Sequence, residues 1–513
     1  MISLKKFADI YKSSAVVSIW TLISRILGFA RDILFAVFLG SGPMADAFLI
    51  AFRLPSLFRR FFAEGTFSAA FIPLLSEKKE NDGLKEGLVF TSKITSILLL
   101  VVMPLIILAE IFMPNVVLLI APGFLEDLYR FELAVPYARI VFPYLIFIII
   151  TSLLSASLNT NGKFWAGAAA PVILNLLMIF ALLLGWVMQK DQGLMLSWGV
   201  LFAGACQMLL LAWANNKNGL SFGISLPTLD ESVKKFIKRF IPSALGAGTT
   251  QINLLVSSIF ASQIPGAISW LYYSDRVAQL PLGIIGVAIG TVLLPDLSKK
   301  ISLELKEEGY SVQEKAILIS IFFALPASVA LIYMPDLIIN ALFGYGVFSA
   351  SDVAFTANAL KVYAFGIPAF MLIKILSPLF FARQDIKTPV IIAGFSTILN
   401  IFLTWFLVKK MGFVGIAVSL VIAGWINAVI LFLIILLKKF YVPNLRFFYV
   451  LSIIIISTFF MLISLNILNH AFITLNQSLS NFPEIFKLFC MVVIGLLSYL
   501  GVSYIFKLFR YLK

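Results

Sequence analysis

"SAVVSIWTLISRILGFARDILFAVFLG", Ser14 to Gly40, decides how the chain is to be read. Apolar residues fill it for the roughly 20 residues that a helix needs to cross a bilayer, yet Arg25, Arg31 and Asp32 sit inside it. A charge at bilayer depth costs roughly 2.5–3.5 kcal/mol even on the lenient insertion scale, so such residues are rare and face a protein interior or a water-filled cavity. Either the stretch is not a span, or its charges have a purpose there.

The rest of the chain answers the first alternative. Of the 513 residues 61% are hydrophobic and 12% charged, against about 25% charged in soluble domains. Phe164 to Gln189, Gln192 to Asn216, Thr388 to Val408, Met411 to Leu437 and Phe447 to Pro483 contain no Asp, Glu, Lys or Arg. The fold class expected is an all-α polytopic membrane protein. Fourteen spans are read, at about 15–40, 44–72, 90–118, 133–160, 164–188, 193–216, 241–263, 268–297, 313–335, 353–382, 388–408, 412–437, 447–468 and 485–507.

Charge sets the orientation, because short loops rich in Lys and Arg stay cytoplasmic. With the N-terminus inside, the inner segments gather Lys5, Lys6, Lys12, Lys78, Lys79, Lys85, Lys93, Lys234, Lys235, Lys238, Arg239, Lys299, Lys300, Lys438, Lys439 and others, against Arg130, Lys190, Lys409 and Lys410 outside. Both termini are therefore expected in the cytoplasm. Loop lysines facing anionic lipid explain most of the net charge of +14, so it implies no nucleic acid. Cys206 and Cys490 fall in apolar runs and outline no disulfide framework. "MISLKKFADIYKSS" lacks the short apolar core and small-residue cleavage site of a removable signal.

Internal similarity points to a repeat. "FIPLLSEKK" (Phe71–Lys79) resembles "LLPDLSKK" (Leu293–Lys300) at an offset of 222, and "VILNLL" around Asn175 resembles "TILNIF" around Asn400 at an offset of 225. Near-agreement of the two offsets pairs spans 1–6 with spans 7–12. The expected organisation is an N-lobe over 1–220, a C-lobe over 221–440, and a C-terminal helix pair over 441–513.

The charged residues inside spans are the candidate site. Arg25 and Asp32 are two turns apart with Gly28 on the same stripe, and Arg31 lies about 120° away. In "DAFLIAFRLPSLFRRFFAEG" (Asp46–Gly65), Arg53, Ser56, Arg60 and Glu64 form a narrow polar stripe with Arg59 beside it. "WLYYSDRVAQLPLG" (Trp270–Gly283) adds Asp275 and Arg276. Plainer accounts stand beside this one: Arg59 and Arg60 can snorkel to the cytoplasmic interface, Asp32 or Asp275 can simply neutralise a neighbouring arginine, and Asp46 can be a helix N-cap. His470, the single histidine, falls in a predicted external loop. Arginine's planar fork suits paired phosphate oxygens and stays protonated, so an excess of arginine over carboxylate in a closed cavity suits a diphosphate. No His-x-x-x-His, Cys-x-x-Cys or P-loop occurs, so catalytic and metal-binding residues are expected to be absent.

With "RILGFARD" (25–32), "DAFLIAFRLPSLFRRFFAEGTFSAAFIPLLSE" (46–77), "WLYYSDRVAQLPLGIIGVAIGTVLLPDLSK" (270–299) and "RQDIKTP" (383–389) assembled, the chain resembles the MurJ/MviN lipid II flippase family of the MOP exporter superfamily. The resemblance implies fourteen helices and transport of the lipid-linked peptidoglycan precursor, lipid II, from the cytoplasmic to the outer leaflet of the bacterial inner membrane by alternating access. It places headgroup and diphosphate binding on Arg25, Arg31, Arg59, Arg60 and Arg276, and functionally sensitive acids on Asp46 and Glu64. It makes spans 13 and 14 a groove for the lipid tail. Asp32 and Asp275 join the functional acids as partners of the adjacent arginines. Some family members bind sodium through a carboxylate on span 7, where "QINLLVSSIFASQ" (251–263) offers no acid. Coupling to membrane potential or a monovalent ion, a monomeric state and contact with wall-synthesis proteins complete the expectation. Its rivals are a MOP exporter of another polyprenyl-diphosphate-linked saccharide and a membrane enzyme of wall assembly.

Overall fold

The computed structural model describes residues 4–63, 66–283, 306–478 and 483–512, and all regular structure among them is helical. The helices are α1 (Leu4–Leu39), α2 (Pro43–Ala63), α3 (Thr66–Asp82), α4 (Leu84–Ile111), α5 (Met113–Ile120), α6 (Leu128–Val141), α7 (Tyr144–Thr160), α8 (Trp165–Val187), α9 (Gln192–Lys217) and α10 (Glu231–Ala261). They continue with α11 (267–283), α12 (Lys306–Tyr333), α13 (Pro335–Phe343), α14 (Ala350–Phe381), α15 (Lys387–Met411), α16 (Val414–Leu437), α17 (Leu445–Ser478), α18 (Glu484–Ile505) and α19 (Phe509–Leu512). Without water to satisfy backbone groups in the bilayer core, such a chain has helices as its way across.

Ten spans among the described residues are long and apolar enough to cross a membrane. The other four expected spans fall on α1, on α2 with α3, on α10 and on α11. The first two are where Arg25, Arg31, Asp32, Arg53, Arg59 and Arg60 interrupt the apolar run, and α11 reaches the edge of the described residues. Expected span 4 is two helices, α6 and α7, because Pro143 stands at the junction and has no N–H for a continuous ladder. α6 starts five residues earlier than expected, since the Asp127 side chain caps it by accepting from the Arg130 backbone N–H at 3.3 Å. His470 lies within α17 rather than in a loop.

The chain divides into two compact units, Met1–Ser269 and Trp270–Lys513. By this division α10 belongs with the first unit. In that unit α8 packs on α9 and α1, α9 on α7, α2 on α6, and α10 on α3. In the second unit α14 packs on α16 and α12, α15 on α16, and α17 on α18 and α12. Each unit contains the same break. α4 carries an internal proline, Pro104, and is followed by the short α5 opening on Pro114; α12 carries Pro326 and is followed by the short α13 opening on Pro335. These pairs are offset by 222 and 221 residues, a further match between "FMPNVV" and "YMPDLI" that the sequence reading passed over.

Within the second unit, "RQDIKTP" acquires a structural account. Gln384 takes a positive φ of 60°, which lets Asp385 turn back and accept from the Thr388 backbone N–H at 3.0 Å and hydroxyl at 2.8 Å. Lys438 Nζ reaches the same carboxylate at 2.9 Å. That Lys438 bond, then the two from Thr388, hold the Asp385 carboxyl down at about 2. Arg383 stacks on Phe440 with its guanidinium 4.3 Å from the ring centre and donates to the Leu379 and Phe440 carbonyls at 2.8 and 3.1 Å.

Candidate substrate-binding arginines

The stretch that opened the reading folds as the second half of α1, with one face against α8. Phe38 meets Trp186 of α8 at 6.1 Å between ring centres, Phe35, Ala36 and Leu39 are buried, and so are Arg31 and Asp32, at 9% and 3% exposure. The Arg31 fork is filled. Nε and Nη2 donate to Asp32 Oδ1 at 3.1 and 2.7 Å, and Nη1 donates to Asn175 Oδ1 at 2.9 Å. Asn175 Nδ2 then donates back to the Ser24 carbonyl at 2.9 Å. Gly28 permits this approach, because a Cβ there would stand 3.4 Å from Asn175 Nδ2. A buried ion pair is tolerable only when further hydrogen bonds satisfy both partners, and Asn175 supplies one from another helix.

Arg25, by contrast, is exposed. On α2, Arg59 is half-buried and Arg53 donates to the Ser258 hydroxyl and to the Leu254 carbonyl, the latter at 3.4 Å, both on α10. The Arg60 side chain and Glu64 lie outside the described residues.

Asp46 is fully buried in the first turn of α2 and caps a different helix. Its Oδ1 accepts from the Ser269 backbone N–H at 3.0 Å and hydroxyl at 2.6 Å, and Oδ2 accepts from the Gly266 N–H at 2.9 Å. These donors are orphan groups at the start of α11, where a negative charge is favoured. Arg130, 1% exposed, completes the cluster: Nη1 lies 3.4 Å from Asp46 Oδ2, Nε 2.7 Å from Asp127 Oδ2, and the guanidinium 4.7 Å from the Phe124 ring centre. Beside it the turn at Gly123 presses on the end of α10, with Gly123 N–H donating to Ser262 Oγ at 3.0 Å.

In the second unit Arg276 is half-buried with its guanidinium 4.8 Å from the Tyr272 ring centre. Its sequence neighbour Asp275 is bonded by Gln279 one turn on. The first unit therefore brings Arg31, Asp32 and Asn175 together, and separately Asp46, Arg130 and Asp127. Asn175, Arg130 and Ser258 were not read as site residues from sequence. An amide in the middle of the uncharged run from Phe164 to Gln189 was the available signal for the first, and the Asp127–Arg130 spacing for the second.

The protein family can now be placed. The family model described as Lipid II flippase MurJ matches residues 35–487. The chain belongs to that family. A probable lipid II flippase MurJ of Rhizobium meliloti (strain 1021) is 40% identical over 428 residues, covering 83% of this chain and 80% of its own. Another, from Buchnera aphidicola subsp. Baizongia pistaciae (strain Bp), is 34% identical over 504 residues, 98% of this chain and 97% of its own. A solved structure described as lipid II flippase MurJ in an inward closed conformation matches with a TM-score of 0.81 at 28% identity, over 96% of this chain and 98% of its own. A multidrug resistance MATE family transporter of the MOP superfamily, inward-facing, matches with a TM-score of 0.66 at 16% identity over 83% of this chain and 97% of its own, a likeness of fold.

Proposed function

We propose that this protein is a transporter, not an enzyme, and that it moves lipid II from the cytoplasmic to the outer leaflet of the bacterial inner membrane by alternating access. The observation that carries the reading is the match to the lipid II flippase MurJ family over residues 35–487. Arginines placed inside otherwise apolar helices agree with an anionic, diphosphate-bearing cargo, since each guanidinium offers paired donors to phosphate oxygens. In this reading Arg25, Arg59, Arg60 and Arg276 engage the headgroup. Arg31, whose donors are taken by Asp32 and Asn175, acts by fixing α1 against α8. Asp46 fixes the start of α11, and Glu64 and Asp275 balance nearby arginines. α17 and α18 would receive the lipid tail. The termini would be cytoplasmic, the protein monomeric, and the driving force membrane potential or a monovalent ion acting on a cationic interior.

The test is depletion in cells followed by measurement of lipid II accessible at the outer leaflet. Loss of accessible lipid II, restored by the wild-type chain and not by Arg25→Ala or Arg276→Ala at equal membrane levels, is the expected result. Unchanged accessibility on depletion would refute the proposal.

A further inference from the structure

The second unit has an open pocket of about 370 Å³ where α13 meets the end of α17 and the start of α18. By the charge-based orientation this end faces outward. The buried Phe472 and Met491 and the exposed Ile473 are its apolar lining, and Asp336, Asn340, Asn469, Glu484 and Lys487 its polar lining. Lys487 is 14% exposed and donates to Glu484 Oε1 at 2.9 Å, so this pair is close to neutral. Asp336, in the first turn of α13, is exposed and forms no ion pair among the described residues. The polar lining thus combines one unbalanced carboxylate, two side-chain amides and an ammonium whose three N–H groups are not exhausted by one bond.

For Asp336 and Asn340 the repeat shows that the helix break does not require these side chains. At the same offset of 221 that joins Pro114 to Pro335, Asn115 and Leu119 of α5 stand where Asp336 and Asn340 stand in α13. These two polar side chains are an addition to one unit, beside an apolar lining, at the level where helices leave the membrane. The volume sits at the low end of the roughly 300–1,000 Å³ of small-ligand sites, a size for a lipid headgroup and not for a saccharide-peptide.

We propose that this pocket binds the headgroup of an amine-bearing zwitterionic phospholipid of the phosphatidylethanolamine type. The primary ammonium meets Asp336 and the amide oxygens of Asn340 and Asn469, the phosphate meets Lys487, and the glycerol end rests on Phe472, Ile473 and Met491. Phosphatidylglycerol lacks the ammonium and sets its phosphate beside Asp336 and Glu484, while a choline headgroup carries no N–H to donate. The proposal does not rest on the transport reading, although the pocket lies at one end of the two helices there assigned to the lipid tail.

The experiment uses the purified full chain, delipidated, with binding of phosphatidylethanolamine, phosphatidylcholine and phosphatidylglycerol of matched acyl chains followed by native mass spectrometry. The wild type is expected to prefer the ethanolamine lipid by about tenfold, the order a charge-assisted hydrogen bond supplies. Asp336→Asn should remove that preference over phosphatidylglycerol, and Lys487→Ala should weaken all three phosphate-bearing lipids alike. The ratio between lipids on one preparation does not depend on how much of a variant folds. Equal binding of all three lipids by the wild type, or an unchanged ratio in Asp336→Asn, would overturn the proposal.

Discussion

Replacing Arg31 by lysine keeps the charge and removes the fork. In the structure the guanidinium serves Asp32 Oδ1 with two donors and Asn175 Oδ1 with a third, all between 2.7 and 3.1 Å. A lysine ammonium is a point on a flexible stem that cannot span both acceptors, so at least one charged hydrogen bond is lost, worth roughly 1.5–3 kcal/mol. Asp32→Asn is harsher, because it leaves a guanidinium that is 9% exposed without its counter-charge, and breaking a buried pair from one side costs roughly 3–5 kcal/mol. Against a total stability of about 5–15 kcal/mol, both changes should lower the melting temperature of the purified chain and its abundance in membranes, Asp32→Asn the more. Asn175→Ala should fall in the same direction, and Arg25→Ala, at an exposed position, should not. The assay pairs thermal unfolding in detergent with outer-leaflet lipid II accessibility in cells that carry only the variant. Wild-type melting of Arg31→Lys together with lost flipping would refute the reasoning and make Arg31 a direct ligand of the cargo.

Gly123→Ala should destabilise the first unit by about 1–3 kcal/mol or more, because the new Cβ would stand 2.4 Å from the backbone of Ser262 and Gln263; a wild-type melting temperature would contradict it. Asp385→Asn should loosen the junction between α14 and α15, read as faster hydrogen exchange around Thr388. The depressed carboxyl contributes fully above its usual value near 4 and loses its contribution as pH falls through about 2, so the variant and wild type should converge in acid. For orientation, cysteines introduced at Gly42 or Pro265 should react with an impermeant thiol reagent from outside and one at Lys85 should not; the reverse pattern would invert the topology.

The class of fold was legible because span length and charge-free runs are local properties. α8, α9, α15 and α16 lie close to where those runs begin and end. Breaks were not legible: Pro143 marks the one between α6 and α7, yet the stretch over 133–160 reads as a single span. What the charges inside spans are bonded to was not legible. Asn175 is 144 residues from Arg31, and Arg130 is 84 residues from Asp46, so helical periodicity on one segment says nothing of the acceptor that another brings. Helical spacing put Arg25 and Asp32 on one stripe, while the partner of Asp32 is Arg31, which reaches round through its long side chain to share an acceptor set with α8.

This difference bears on how a cationic interior is counted. Arg31, Arg53 and Arg130 each have acceptors from two places in the first unit: Asp32 and Asn175, Ser258 and Leu254, Asp46 and Asp127. Arginine suits these positions because two acceptors converge on one group, a task for a rigid fork. For Arg31 and Arg130 the positive charge is matched within the unit by Asp32, Asp46 and Asp127, while Arg53 donates to the neutral Ser258 hydroxyl and Leu254 carbonyl. In the proposed mechanism the first unit's hold on a diphosphate therefore falls to Arg25, Arg59 and Arg60, and the summed charge of its helices overstates it. The consequence can be measured as a separation of phenotypes. Substitutions at Arg25 should abolish flipping in a protein that melts normally, and substitutions at Arg31 or Arg130 should abolish it by lowering the amount of folded protein. A variant of Arg130 that is folded, abundant and unable to flip would show that the cluster of Arg130 with Asp46 and Asp127 touches the cargo, and would break this division between scaffold and ligand arginines.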